Sequence, residues 1–179
     1  SEVSSNVNEV ERSFKLHCCS KLRDFVFKYE DLLGKEIWDV LDEEIQQDPG
    51  AFLSAINSYA SRKGNLPIYL LIDEYDNFTN TILSTYGTEY YQKATHGEGF
   101  VRGFFNVIKA ATTGTGSALQ RMFITGVSPV TMDDVTSGFN IGTNITTDPW
   151  FNDLVGFSEA ELREMLTYYK EQGVLMQTV

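Results

Sequence analysis

Apolar residues recur every three or four positions through the first third of the chain. Val7, Val10, Phe14, Cys18, Leu22, Phe25, Tyr29 and Leu32 lie on one stripe and predict a single amphipathic helix, with Gly34 as its stop. Ile37, Trp38, Leu41 and Ile45 continue an apolar face and predict a second helical segment. Asp48-Pro49 supplies the N-cap and first residue of a third, which buries Phe52, Leu53, Ile56 and Tyr59 and closes at Lys63-Gly64-Asn65. The period then changes. Ile68 to Ile72 is a short apolar run rich in branched and aromatic residues, the pattern of a strand buried on both faces. It stops abruptly at Asp73-Glu74-Tyr75-Asp76-Asn77.

Beyond the acids, Asn77 to Thr95 mixes Thr, Tyr and Asn and predicts a short helix, a loop and another helix. Phe100, Val101, Phe104, Phe105, Ile108 and Ala111 return to helical spacing within Gly97 to Thr113. Gln120 to Ile124 is a second apolar strand, ending in Thr125, Gly126 and Ser128. Strand, helix, strand implies a parallel pair with both carboxyl ends on one edge. Ligands of open α/β sheets bind beyond that edge, so Asp73 and Glu74 are expected to face a cleft shared with the Thr125 hydroxyl. Two readings of the acids stand side by side. They form a Walker B element, or Asp simply caps the turn that follows. Thr125 and Ser128 likewise either contact a ligand or belong to the turn that Gly126 and Pro129 require.

Further on, Asp133 to Thr147 predicts loops with a turn of helix and a strand near Ile145. Asp148-Pro149 is another N-cap with Pro at the first position, and Ser158 with Glu161 forms a capping box. Leu162, Met165, Leu166 and Tyr169 are expected to face inward on that helix, with Gly173 as its end. Val174-Leu175-Met176 reads as the start of another element.

With these segments in view the chain resembles the predicted AAA-ATPase-like proteins of bacteria and archaea, relatives of the signal-transducing P-loop ATPases. The matching stretches are Leu71 to Asp76, Phe105 to Lys109, Phe123 to Ser128, Asn144 to Thr146 and Gly156 to Leu162. The resemblance implies an α/β fold: a three-layer α/β/α P-loop NTPase-like domain with a mostly parallel sheet. Residues 1–155 would be a partial ATPase core and 156–179 the beginning of a helical lid. It implies ATP and magnesium as cofactors of the parent protein. Asp73 would hold the metal through water, Glu74 would be the catalytic carboxylate, and Thr125, with Ser128 nearby, would meet the γ-phosphate. Tyr75 and Asp76 match the family without a firm role, Asp76 being open to an N-cap or a supporting hydrogen bond. Arg163 occupies a place from which a lid arginine approaches nucleotide, against the simpler reading of a solvated helix charge.

One departure is as informative as the match. Members carry a phosphate loop of the type Arg-Arg-Phe-Gly-Lys-Ser/Thr, and no Gly-x-x-x-x-Gly-Lys-[Ser/Thr] occurs in this sequence. Such a loop wraps backbone N–H groups around phosphates while its Lys offsets their charge. The glycine-rich stretch Thr112 to Ser117 has no Lys and precedes a strand, which suits a solvated connection. The chain is therefore read as a fragment of the core, bound to no cofactor and inactive by itself. The alternative is a non-catalytic interaction or scaffold domain with an ATPase-like fold.

Composition narrows the partners. With 179 residues, 42% of them hydrophobic, the chain is long enough for one well-filled core. A net charge of −11 argues against a nucleic-acid surface, because phosphate binding needs clustered Lys and Arg. Family resemblance implies a nuclease domain in the same polypeptide, to which any DNA contact would fall. Cys18-Cys19 has no metal or disulfide spacing and reads as free thiols of a cytoplasmic protein. His17 and His96 are too far apart in sequence to suggest a metal pair. A metal-dependent hydrolase built on Asp73, Glu74 and Asp76 alone is the weakest reading, since three acids need further ligands. No signal peptide and no apolar stretch of transmembrane length is present.

Overall fold

The computed structural model describes residues 2–64, 66–114, 116–127, 142–152, 154 and 156–173, with side chains from residue 8 onward. Asn65, Thr115, Ser128, Pro129, the greater part of 133–147 and Val174-Leu175-Met176 lie outside the described residues. Two compact units divide the chain, Ser1–Ile141 and Gly142–Val179.

In the first unit the 3.6-residue pattern produces α1 (Glu2–Lys28), which breaks at Tyr29 before the single turn α2 (Glu30–Leu33). Gly34, at φ 81°, ends the run in a conformation that costs other residues energy. The helical segment expected at Ile37 to Ile45 is instead two 3₁₀ turns, Lys35–Asp39 and Ile45–Gln47. The Asp42 carboxylate accepts from the Ile45 amide at 2.8 Å, and such a local bond competes with helix continuation. Trp38 Nε1 donates to Glu30 at 2.8 Å, so the turn folds back on α2 while Ile37 and Leu41 are buried. As expected, Asp48 caps α3 (Pro49–Arg62), its carboxylate accepting from the Ala51 amide at 2.8 Å.

The strands β1 (Ile68–Ile72) and β2 (Leu119–Ile124) pair in parallel, in register from Tyr69↔Arg121 to Ile72↔Ile124. Between them lie α4 (Asn77–Tyr86), α5 (Thr88–Thr95) and α6 (Phe100–Thr113). The loop expected between α4 and α5 shrinks to Gly87. One face of the pair, carrying Ile68, Leu70, Ile72, Met122 and Ile124, packs on the helices. α3 serves both halves of the core. Phe52, Ile56 and Ala60 join Val26, Ile37, Leu41 and Leu119, while Leu53 joins Ile82, Val101, Phe105 and Ile108. Phe14 of α1 closes the second half against Phe78, Phe100 and Phe104, with ring centroids 5.1, 5.3 and 5.7 Å away.

This corrects the expected three-layer α/β/α P-loop architecture. Among the described residues the sheet has two short strands, and the helices of the first unit pack on one face of it. On the other face Tyr69, Leu71 and Phe123 remain 61, 74 and 40% exposed. The physical reason lies in the pattern. Only two segments of the described chain are strand-length apolar runs, and the remaining apolar residues fall at helical spacing. The expectation that β1 is buried on both faces fails with it, since its burial alternates.

In the second unit, Pro149–Phe151 forms a 3₁₀ turn whose Trp150 amide donates to Asp148 at 3.0 Å. The capping box is present at the start of helix Glu159–Glu171: the Ser158 hydroxyl accepts from the Glu161 amide, and Glu161 accepts from the Ser158 amide at 2.8 Å. Leu162, Met165, Leu166 and Tyr169 are exposed rather than inward-facing. No described helix is long and apolar enough to cross a membrane.

The two cysteines are free, Cys19 buried and Cys18 half-buried on α1. Burial, and then the neighbouring Cys19, push the Cys18 thiol from its ordinary value of 9.0 up to about 12. The folded state therefore keeps a proton that the unfolded chain loses. Its contribution is complete below about pH 9 and disappears as pH rises toward about 12. The urea midpoint should accordingly fall more steeply across this alkaline range in the wild type than in Cys18→Ser. Parallel slopes would show that Cys18 does not titrate this way.

Candidate functional site at the strand tips

The parallel ladder continues one step past the strands. The Thr125 amide donates to the Ile72 carbonyl at 2.9 Å, and the Tyr75 amide donates to the Thr125 carbonyl at 3.0 Å. These bonds hold Asp73-Glu74 and Thr125 side by side although about fifty residues separate them in sequence. The Thr125 hydroxyl donates to Asp73 Oδ1 and accepts from the Glu74 amide at 3.1 Å. One hydroxyl thus bridges both acidic residues. Asp73 and Glu74 are exposed and Thr125 is half-buried.

Glu74 has φ 50°, the only non-glycine with positive φ among the described residues. This left-handed conformation turns the chain away from the strand axis immediately before α4. An L-residue there costs about 1–2 kcal/mol. Its carboxylate is steadied by Asn77, whose Nδ2 donates to Oε2 at 3.1 Å. Replacing Glu74 with Gly removes the side-chain strain, while greater freedom in the unfolded chain offsets part of the gain. Glu74→Gly is expected to raise stability by up to about 1 kcal/mol in urea unfolding. A lower midpoint would show that the carboxylate's contacts outweigh the backbone strain.

Asp76 behaves differently from the other two acids. It is 1% exposed, and both its oxygens accept from the Val127 amide, at 3.2 and 3.1 Å. Asn80 Nδ2 donates to Oδ2 at 3.3 Å, and the Asp76 carbonyl accepts from the Thr79 hydroxyl at 2.9 Å. Of the two readings open for Asp76, the side-chain N-cap is absent, and the carboxylate instead hydrogen-bonds across to the loop leaving β2. Gly126 sits under the Tyr75 ring. A Cβ there would overlap the ring and lie 2.8 Å from Asp76 Oδ1.

The geometry bears on a metal in two ways. Asp73 and Glu74 are hard oxygen donors at the surface, and among the described residues Thr125 alone engages the Asp73 carboxylate. No group of three His, Cys, Asp or Glu converges among the described residues. Asp76 is committed elsewhere, so three acids do not form a common ligand set. This arrangement suits a cation that keeps most of its water, as magnesium does, rather than one caged by protein.

Other sequence candidates fall away from this point. Ser128 lies outside the described residues. The glycine-rich connection is tied down on α3: the Ser117 hydroxyl donates to Asn57 Oδ1 at 3.0 Å, and the Leu119 amide donates to the same oxygen at 2.8 Å. Arg163 pairs with Glu159 one turn earlier, its Nε donating at 2.9 Å, which is a solvated helix charge. His96 shares a 2.9 Å hydrogen bond with the Thr95 hydroxyl.

Comparison with known proteins adds one finding. The model of a family described as Predicted AAA-ATPase matches residues 1–136, a span that includes α1 to α6, both strands and every strand-tip residue named above. No curated protein and no solved structure matches the chain. With the greater part of its length covered by that model, the chain belongs to the family of predicted AAA-ATPases.

Proposed function

We propose that this chain is the acid-bearing part of an ATP-hydrolysing core, whose intact polypeptide couples hydrolysis to a conformational switch. The observation that carries the reading is the Thr125 hydroxyl shared between Asp73 and the Glu74 amide at adjacent strand tips. Family membership supports nucleotide and magnesium use by the parent. Bound there, magnesium supplies positive charge at the phosphate oxygens.

Asp73 would hold the water shell of the ion through the carboxylate oxygen that Thr125 leaves unengaged. Glu74 would orient the attacking water and accept its proton, with Asn77 fixing the direction of the carboxylate. Thr125 keeps the two acids in one relation. By exchanging its donated bond from Asp73 to a phosphate oxygen, it would also report occupancy of the site. The sequence contains no phosphate loop, so the chain by itself is expected neither to bind ATP tightly nor to hydrolyse it. In this reading the loop belongs to another part of the polypeptide, as does a nuclease domain, and the setting is cytoplasmic. The acidic balance of −11 leaves DNA contact to that domain.

The deciding measurement is magnesium-dependent ATP turnover by the intact polypeptide and by its Glu74→Gln variant. Turnover that Glu74→Gln abolishes supports the proposal. An intact polypeptide without turnover would favour a non-catalytic interaction domain.

A further inference from the structure

We propose that Asp76, together with the Tyr75 ring, is the positioning element of the strand-tip site. It latches the exit of β2 so that the Thr125 hydroxyl stays between Asp73 and Glu74. The inference deepens the hydrolytic reading above and rests on it for its functional meaning, but not for its geometry.

Three observations converge. First, Thr125 is followed directly by Gly126 and Val127, and the Val127 amide is received by both oxygens of the Asp76 carboxylate. A hydrogen bond to a buried acceptor is electrostatically stronger than one made in water. Second, the carboxylate is anchored at its other end. Asn80 of α4 donates to Oδ2, and the Asp76 carbonyl takes the Asn80 amide at 2.8 Å and the Thr79 hydroxyl. The latch therefore ties the loop to the first turn of a helix, not to another loop. Third, Gly126 leaves no room for a Cβ between the Tyr75 ring and the Asp76 carboxylate, so the loop is pressed against both side chains. Gly126 is absent from the glycines with positive φ, which means the constraint is spatial rather than conformational.

The consequence follows from the order of the residues. Thr125 is held by the strand ladder on one side and by the Gly126-Val127 anchor on the other. Loss of the second anchor frees the carbonyl and hydroxyl of Thr125 from the Tyr75 and Glu74 amides. A polar side chain only 1% exposed is costly unless hydrogen-bonded, and part of its bonding here is to the loop that carries Thr125.

Amide hydrogen exchange on the 179-residue chain tests this without any need for activity. In Asp76→Ala, exchange at Val127, Glu74 and Tyr75 should accelerate by about tenfold or more relative to Ile108 of α6 in the same variant. In Asp76→Asn the side-chain oxygen still accepts from Val127, and exchange should stay within about threefold of wild type. Uniform acceleration that includes Ile108, or no acceleration at Glu74 and Tyr75, overturns the proposal. Should Asp76→Ala not fold, Gly126→Ala decides: it should produce the same selective pattern, and unaltered exchange there overturns the idea equally. In the intact polypeptide, Asp76→Ala should lower kcat about tenfold or more while KM for MgATP moves by less than about threefold. A wild-type polypeptide without turnover would defeat the hydrolytic reading, and the exchange pattern would still decide the latch.

Discussion

Glu74→Gln in the intact polypeptide is expected to lower MgATP turnover by about a hundredfold or more, with the fold unchanged. General-base catalysis contributes about 10²–10⁴ in rate, and an amide in the same place cannot accept the proton. The substitution is nearly isosteric. Glu74 is exposed, and the amide oxygen of Gln can still accept from Asn77 Nδ2, so the packing of α4 gives no reason for instability. The backbone at φ 50° is equally unfavourable for Gln and Glu, which makes the pair a clean comparison of chemistry. Steady-state hydrolysis alongside a urea unfolding curve separates the two effects. Turnover within a fewfold of wild type would remove Glu74 from the reaction.

The largest stability loss should come from Phe52→Ala. Phe52 is 0% exposed on α3, in the half of the core that joins α1, the 3₁₀ turn and β2. Truncating a buried Phe costs about 3–5 kcal/mol, from lost transfer energy and the cavity left behind. Domains of this size are stable by about 5–15 kcal/mol, so about a fifth or more of the margin is at stake. Trp38 packs against the same cluster and reports the transition by fluorescence. The other tryptophan, Trp150, is 92% exposed and contributes little change. A loss below about 1.5 kcal/mol would mean that the surrounding side chains collapse into the space.

The two predictions draw on opposite properties of neighbouring segments. α3 is held by apolar burial and tolerates no large cavity, whereas the strand tips are held by directional bonds that few core contacts reinforce. Asp76 stands between the two regimes, a buried carboxylate whose bonds join α4 to the loop leaving β2. Positive φ at Glu74 fits the same division, because strained backbone persists where surrounding bonds over-determine it.

Local physics made several features legible in the chain itself. Asp48-Pro49 announces α3 because a carboxylate at the cap and a proline at the next position both satisfy a helix start, and Ser158 with Glu161 does the same for the last helix. The runs from Ile68 and Gln120 read as strands because they are short, apolar and end in turn residues, and their shared direction follows from the helical crossover. What depended on distant contacts could not be read in this way. That the described part of the first unit pairs two strands and packs its helices on one face of them is a matter of what packs on what. The same holds for the 3₁₀ turns where a helix was expected, since burial of Ile37 and Leu41 and the Trp38–Glu30 bond set that path. Burial of Asp76 and the shared Thr125 hydroxyl are decided by loops about fifty residues apart in sequence that meet only after the strands pair. Caps and periodicity act within a few residues and are written in the chain, whereas register, burial and left-handed backbone arise from contacts that exist only in the folded molecule.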